Sequence, residues 1–381
     1  MQLIFLVTYG AEKVFCFSFL FKIGCAMSII RALEVGFGTT SLTVGIDSKG
    51  HPVVETFPSF VAQVDPSKIG LNAGLNKRDT VTVNVKGQNY EVGPDAHLAS
   101  DKTSSRVLNS AYIESEQYQA LLFGSLTFMG SRSIDLLVLA LPVQNWARRD
   151  ELKQLVVGTH VINGNSYTVK DAWVIVQPMG GLLCHANQIG QVAFNELLEQ
   201  NILSVDPGFG TFDYVYSTGL KLNDSRSDGN ELGMSAVLNE CAKSLRGVFP
   251  SLTDFPLEKI DDAFYKNDGF IRISGKKYPF PVCEGKLVDG KPTNVKFDLR
   301  PSIDSVTKSA ITKLKNVVGN GGDIDLIILM GGPHKVYLPA LKHAYPDHEI
   351  IILKEAIVSV CRGMHYGGVQ YYKALQRSKR N

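Results

Sequence analysis

One device occurs twice in this chain, about half a chain apart: an apolar strand closing on an acid, a Gly-x-Gly turn rich in hydroxyls, and a returning strand. The first copy reads Ala32, Leu33, Glu34, Val35, Gly36, Phe37, Gly38, Thr39, Thr40, Ser41, and the second Val205, Asp206, Pro207, Gly208, Phe209, Gly210, Thr211, Phe212, Asp213. Such recurrence signals an internal duplication and predicts two similar domains. The 381 residues suffice for two cores of ordinary size. An ionised group at the end of a buried apolar strand is a poor choice for a purely structural turn, because burying a charge is costly unless something pairs with it. A bound cation would account for Asp206.

Residues 29–35 and 41–46 read as the strands of the opening hairpin, and 81–85 and 88–92 as a second hairpin around Lys86 and Gly87. Tyr118, Leu121, Leu122 and Leu126 recur at helical spacing and predict a helix over 114–129. Residues 134–141 form an apolar run, consistent with a strand buried on both faces, and Pro142 stops it. A strand over 172–176 follows, then a loop at Pro178, Gly180 and Gly181 and a helix near 189–199. After the second device come helices over 233–249 and 303–317 and an apolar strand over 324–330 that runs into Gly331, Gly332 and Pro333. A last helix covers 356–373. Strands alternating with helices predict an α/β fold.

Ahead of the first device, the apolar runs at 3–7 and 15–21 are split by Glu12 and Lys13, a poor pattern for a secretory signal. Neither approaches the roughly 18 apolar residues of a membrane span. Met27 precedes the first strand, so translation is expected to start there, with residues 1–26 an extension outside the fold. The 39 basic residues nearly balance the 37 acidic ones, for a net charge of +2. The chain thus lacks the basic excess of proteins that bind phosphate backbones extensively, and any DNA role is expected to pass through a partner. The six cysteines form no C-x-x-C pair, which signals neither zinc nor a redox dithiol and predicts reduced thiols in a cytoplasmic protein.

The two turns resemble the phosphate-1 and phosphate-2 hairpins of the actin-like ATPases, the superfamily of actin, the ParM segregation proteins, sugar kinases and heat-shock chaperones. Within it, A-L-E-V-G-F-G-T-T, V-D-P-G-F-G-T-F-D and C-R-G-M look most similar to the ParM-like proteins called PRTRC system protein D, and the resemblance covers roughly residues 30–370. It implies an actin-like, ribonuclease H-like α/β fold of two duplicated domains around a nucleotide cleft. Domain I would span 27–170, joined by a C-terminal helix at 356–375, and domain II 171–355.

The resemblance also implies ATP and Mg2+ as cofactors. Glycines let backbone N–H groups approach a phosphate with no Cβ in the way, and hydroxyls add donors. Gly36, Gly38, Thr39, Thr40, Gly208, Gly210 and Thr211 are therefore the expected phosphate contacts. Glu34 and Asp206 are expected to hold Mg2+ through water and to act in catalysis with Gln177, whose amide would orient the attacking water. If the relatives' polar residue stands instead where this chain has Met179, Gln177 is only a strand-end residue. Gly331 and Gly332 resemble the adenosine motif, although a Gly-Gly before Pro333 also reads as a plain loop. Glu240 and Lys243 match an acid and a base that relatives place near ribose and adenine, or equally a solvated i,i+3 pair. Residues 356–363 resemble the second connecting helix, where small residues let two domains hinge closely.

The family usually has Asp where this chain has Glu34, and often Lys or another polar donor near Ser41. The longer Glu could still reach Mg2+ through water, but loss of a phosphate-contacting Lys would slow hydrolysis, which favours nucleotide binding over rapid turnover. The implied function is an ATPase of plasmid segregation or maintenance that self-associates into polymers, works with a DNA-binding adaptor and engages no membrane. A small-molecule kinase of the same superfold and a non-hydrolysing scaffold are the alternatives, and the kinase lacks a matched acid to deprotonate a substrate hydroxyl.

Overall fold

The computed structural model describes residues 28–64, 78–99, 112–252 and 255–379, so the expected start at Met27 and the extension before it lie outside the described residues. The first sheet contains β1 (Ile30–Val35), β2 (Thr39–Ile46), β3 (Pro52–Pro58), β4 (Leu136–Leu141) and β5 (Ala172–Val176), in the order β5-β4-β1-β2-β3. The strands β1, β2 and β3 form an antiparallel meander, and β4 and β5 add in parallel on the other side of β1. The second sheet contains β6 (Asn201–Pro207), β7 (Phe212–Thr218), β8 (Lys221–Asn230), β9 (Leu326–Leu329) and β10 (Ile350–Ile352), in the order β8-β7-β6-β9-β10. Here too a three-stranded meander is extended by two parallel strands beside its first member. The repeated device is therefore the leading hairpin of two sheets with one topology.

The sequence dictates the burial of these strands. All of β4 and β9 is buried, because a parallel strand covered by helices on both faces needs apolar side chains at every position. Helix α1 (Glu116–Phe128) is capped by Ser115, whose hydroxyl accepts the Tyr118 N–H at 3.1 Å, and it buries the expected Tyr118, Leu121, Leu122 and Leu126 against the first sheet. Helices α2 (Gln177–Gln188) and α5 (Ala356–Ser378) share a core with residues of both sheets, among them Leu136 and Val138 on one side and Ile202 and Ile328 on the other. Helices α3 (Met234–Val248) and α4 (Arg300–Val318) pack on the second sheet through Val237, Leu238, Ala310 and Leu314.

Two expectations need correction. The strand β5 pairs with β4, so the first sheet reaches Val176 and a division at 170/171 would cut through it. Residues 177–188, with the loop expected at Pro178, Gly180 and Gly181, instead form α2. Pro178 sits in the first helical turn, where a missing N–H breaks no bond. The glycines serve a close helix crossing: a Cβ on Gly180 would stand 2.7 Å from the Val360 carbonyl oxygen, and one on Gly363 would collide with the Gly180 carbonyl. Of the small residues in 356–363, Gly363 makes this close contact, and its partner is in α2.

Candidate functional site

Both hairpin turns carry the tetrapeptide Gly-Phe-Gly-Thr and close with the same bond, Gly36 N–H to the Thr39 carbonyl at 3.1 Å and Gly208 N–H to the Thr211 carbonyl at 2.7 Å. None of Gly36, Gly38, Gly208 and Gly210 has positive φ, so these glycines answer close approach and not backbone handedness. The approach is mutual: a Cβ on Gly38 would stand 2.5 Å from Phe209, and one on Gly210 2.5 Å from Phe37. The two turns thus meet tip to tip.

Three carboxyls lie beneath them. Asp206 and Asp213 are direct cross-strand partners on the second hairpin, and both are buried. Burial, and then the charge of Asp213, pushes the Asp206 carboxyl up to about 7. Burial likewise pushes Asp213 up to about 6, although the Thr211 hydroxyl at 2.5 Å and the Val143 N–H at 2.8 Å donate to it. Glu34 on β1 keeps some exposure as a residue, but burial of its carboxyl, reinforced by Asp206, holds it well above the usual range. The neighbouring charges that act on these three acids are all negative: Asp206 on Glu34, Asp213 on Asp206 and Asp228 on Asp213. Gln177, buried at the start of α2, donates to Glu34 across a long 3.4 Å, so Glu34 has both Gln177 and Asp206 as neighbours.

Other expected residues are placed differently. Thr40 is opposite Val35 in the ladder and bonds the Ser59 hydroxyl at 2.9 Å, wholly buried on the core face; strand alternation puts Ser41, opposite Glu34, on the acid's face instead. Thr39 closes its turn through its carbonyl, and the Thr211 hydroxyl is held by Asp213. Gly331 has φ +79°, and a Cβ there would run into the Pro207 carbonyl and the Asp206 carboxylate, so this glycine is required by packing against the second hairpin. A Cβ on Gly332 would meet nothing nearer than 3.9 Å, which leaves that position open. Glu240 and Lys243 form a 3.9 Å i,i+3 pair whose side chains remain largely in solvent.

Sequence reasoning missed four contributors. Asp213 was visible as a second acid, but its alignment with Asp206 becomes apparent only with the register. Gly233 lets α3 touch the second turn, since a Cβ there would stand 2.6 Å from the Gly210 carbonyl carbon, and the Met234 and Ser235 N–H groups donate to the Gly208 and Phe209 carbonyls at 3.0 and 2.8 Å. Val143 and Gln144, just after β4, reach from the first half to the second, Gln144 donating to the Gly229 carbonyl at 2.6 Å. Among the described residues no three His, Cys, Asp or Glu side chains are grouped to hold a metal directly. Buried acids whose neighbouring charges, among the described residues, are negative nonetheless fit a cation held through water, which needs no closed ligand shell.

Doubled sheets led by facing glycine hairpins, with two crossing helices between them, define an actin-like fold. Residues 32–180 match the family model described as the actin-like proteins' N-terminal domain. Among solved structures, the chain is similar to an archaeal actin homologue, Ta0583, in complex with ADP, at 14% identity and a TM-score of 0.65 over 90% of this chain and 99% of that one. It is similar to the ParM of a 15-stranded filament from Clostridium botulinum, at 18% identity and a TM-score of 0.64 over 90% and 99%. It is also similar to the actin-like protein Alp7A, at 15% identity and a TM-score of 0.64 over 93% and 99%. No curated protein matches the sequence. The chain is actin-like by fold, and residues 32–180 are similar to that family's N-terminal domain.

Proposed function

We propose that this protein binds ATP with Mg2+ between its two hairpins, hydrolyses it slowly, and lets nucleotide state govern its own assembly in plasmid segregation or maintenance. One observation carries the reading: two equivalent Gly-Phe-Gly-Thr turns face each other above buried Glu34, Asp206 and Asp213. The turn amides of Gly36, Gly38, Gly208 and Gly210 would meet phosphate oxygens, and Thr39 and Thr211 flank them. Glu34 and Asp206 would hold the Mg2+ water shell, and the ion would neutralise charge on the phosphates. Gln177, beside Glu34, would orient the attacking water. Asp213 would keep Thr211 in place while Val143 ties the pair to the first half. Gly332, open where Gly331 is packed, would lie along the nucleoside, and Glu240 and Lys243 would flank it only after leaving their solvated pairing.

An ADP complex among the similar structures supports nucleotide binding, and a ParM filament supports self-association. A DNA-binding adaptor is the proposed second partner, in keeping with the near-neutral charge. The free thiols of Cys184, Cys241, Cys283 and Cys361, and the lack among the described residues of any helix long and apolar enough to cross a membrane, agree with action in the cytoplasm. One observation favours a second reading, a scaffold that binds nucleotide without turnover: among the described residues no positive charge is found in the groups that shift the three acids. Sedimentation with ATP, with ADP and without nucleotide, paired with phosphate release, separates the two. Pelleting that follows ATP with slow phosphate release is expected; ATP-dependent pelleting without release would select the scaffold, and neither response would end the assignment.

A further inference from the structure

The two hairpins touch in a manner that gripping phosphate does not require. Phe37 and Phe209 occupy the middle of their turns, and each ring lies on the second glycine of the opposite turn. A Cβ on Gly210 would stand 2.5 Å from Phe37 Cδ2 and 2.7 Å from its Cγ; one on Gly38 would stand 2.5 Å from Phe209 Cβ and 2.8 Å from its Cγ. Real Cβ atoms essentially never come within 3.0 Å of a neighbour, so each glycine is a seat shaped for the ring across the cleft.

Both sides of this contact are braced from behind. Phe37 stacks on Tyr112 with centroids 4.5 Å apart, and the Tyr112 hydroxyl donates to the Gly36 carbonyl at 3.1 Å. On the other side the Phe209 carbonyl accepts the Ser235 N–H at the start of α3, and Gly233 passes so near that a Cβ would lie 2.7 Å from that carbonyl oxygen. The Phe37 ring cannot yield to a Cβ on Gly210 without disturbing its stack on Tyr112, and the Phe209 backbone is held by its bonded carbonyl. Both rings are half-buried, and apolar contact of this kind favours keeping the two turns together.

We propose that Phe37 and Phe209 form a reciprocal latch between the two halves, so that nucleotide enters and leaves only when both rings lift from their glycines. The proposal rests on the reading of the hairpins as a phosphate clamp, and it makes the two phenylalanines positioning residues that set exchange kinetics. A latch closed both with and without ligand slows uptake and release together, and alters affinity less than either rate.

The contact is tested first without nucleotide, by urea unfolding of crossed variants. Gly210→Ala and Gly38→Ala should each lower the midpoint. Phe37→Ala should relieve the penalty of Gly210→Ala but not that of Gly38→Ala; because the atom nearest Gly38 is Phe209 Cβ, which alanine keeps, the reverse rescue takes Phe209→Gly. A glycine needed for phosphate or for its own turn would not be rescued from the opposite hairpin, so penalties indifferent to the facing phenylalanine overturn the latch. Gating is then read by stopped-flow with a fluorescent ATP analogue, where Phe37→Ala and Phe209→Ala should each speed uptake and release by roughly tenfold. Unchanged rates would overturn the gating role even if the crossed rescue holds. A wild type that takes up no analogue would remove the nucleotide reading and the gate with it, and the unfolding result would still separate that failure from failure of the contact.

Discussion

The first and second hairpins are built on one plan and filled differently. Each has an acid two residues before its first glycine, yet opposite that acid the first hairpin places Ser41 and the second Asp213. The first is braced by an aromatic stack, Phe37 on Tyr112; the second is clasped by polar groups, with Thr211 and Val143 on Asp213 and the start of α3 on its turn carbonyls. Charge is therefore concentrated on the second hairpin, which also receives Gly331 at close range. The lesson is that a duplicated element can be filled unequally: the second hairpin carries two buried carboxyls, and the first carries one acid, with Gln177 of α2 beside it.

The sharpest way to break this comparison is Asp206→Ala. It should leave the fold intact and reduce Mg2+-dependent phosphate release by roughly a hundredfold, as expected when a charged group aimed at the reacting phosphate is lost. Unchanged release would reassign the metal to Glu34 alone.

A smaller effect is expected from pH. The Asp206 carboxyl stands near 7 in the folded protein against 3.8 ordinarily, so the folded state binds this proton more tightly than the unfolded state does. The stabilisation it brings is present in acid and is lost as pH rises from about 4 to about 7. The unfolding temperature of the nucleotide-free protein should fall across that window, and the increment added by Mg-ATP should grow, because the ionised acids are the ones that hold the cation. Asp206→Asn should flatten both trends in thermal scans.

The smallest effect separates the two threonines. Thr211→Val takes a donor from buried Asp213 and should weaken nucleotide binding, whereas Thr40→Val loses only its bond to Ser59, a change of about 1 kcal/mol in stability, and should leave binding unaltered. Titration of both variants with a fluorescent nucleotide checks the contrast.

Much of this arrangement is legible in the chain because the duplicated device names its own strands and acids. Glu34 and Asp206 stand out as ionised groups on apolar strands, and Gln177 follows a strand at the right remove. Thr40 misleads because a run of three hydroxyls does not say which of them faces the acid; the pairing Glu34 with Ser41 decides it. Pro178, Gly180 and Gly181 carry turn propensities that tertiary structure overrides, since a proline is harmless in a first helical turn, Gly180 is spent on the contact with α5 and Gly181 on the Met330 side chain. Gly233 and Val143 act through backbone proximity between distant segments, for which no local pattern exists.

The central claim is that one nucleotide is held by both hairpins at once, and amide hydrogen exchange tests it most directly. On adding Mg-ATP, residues 36–41 and 208–213 should gain protection together, to similar extents and over the same concentration range. Protection of one segment with the other unchanged would contradict the account, because a ligand seated between the two turns cannot order only one of them.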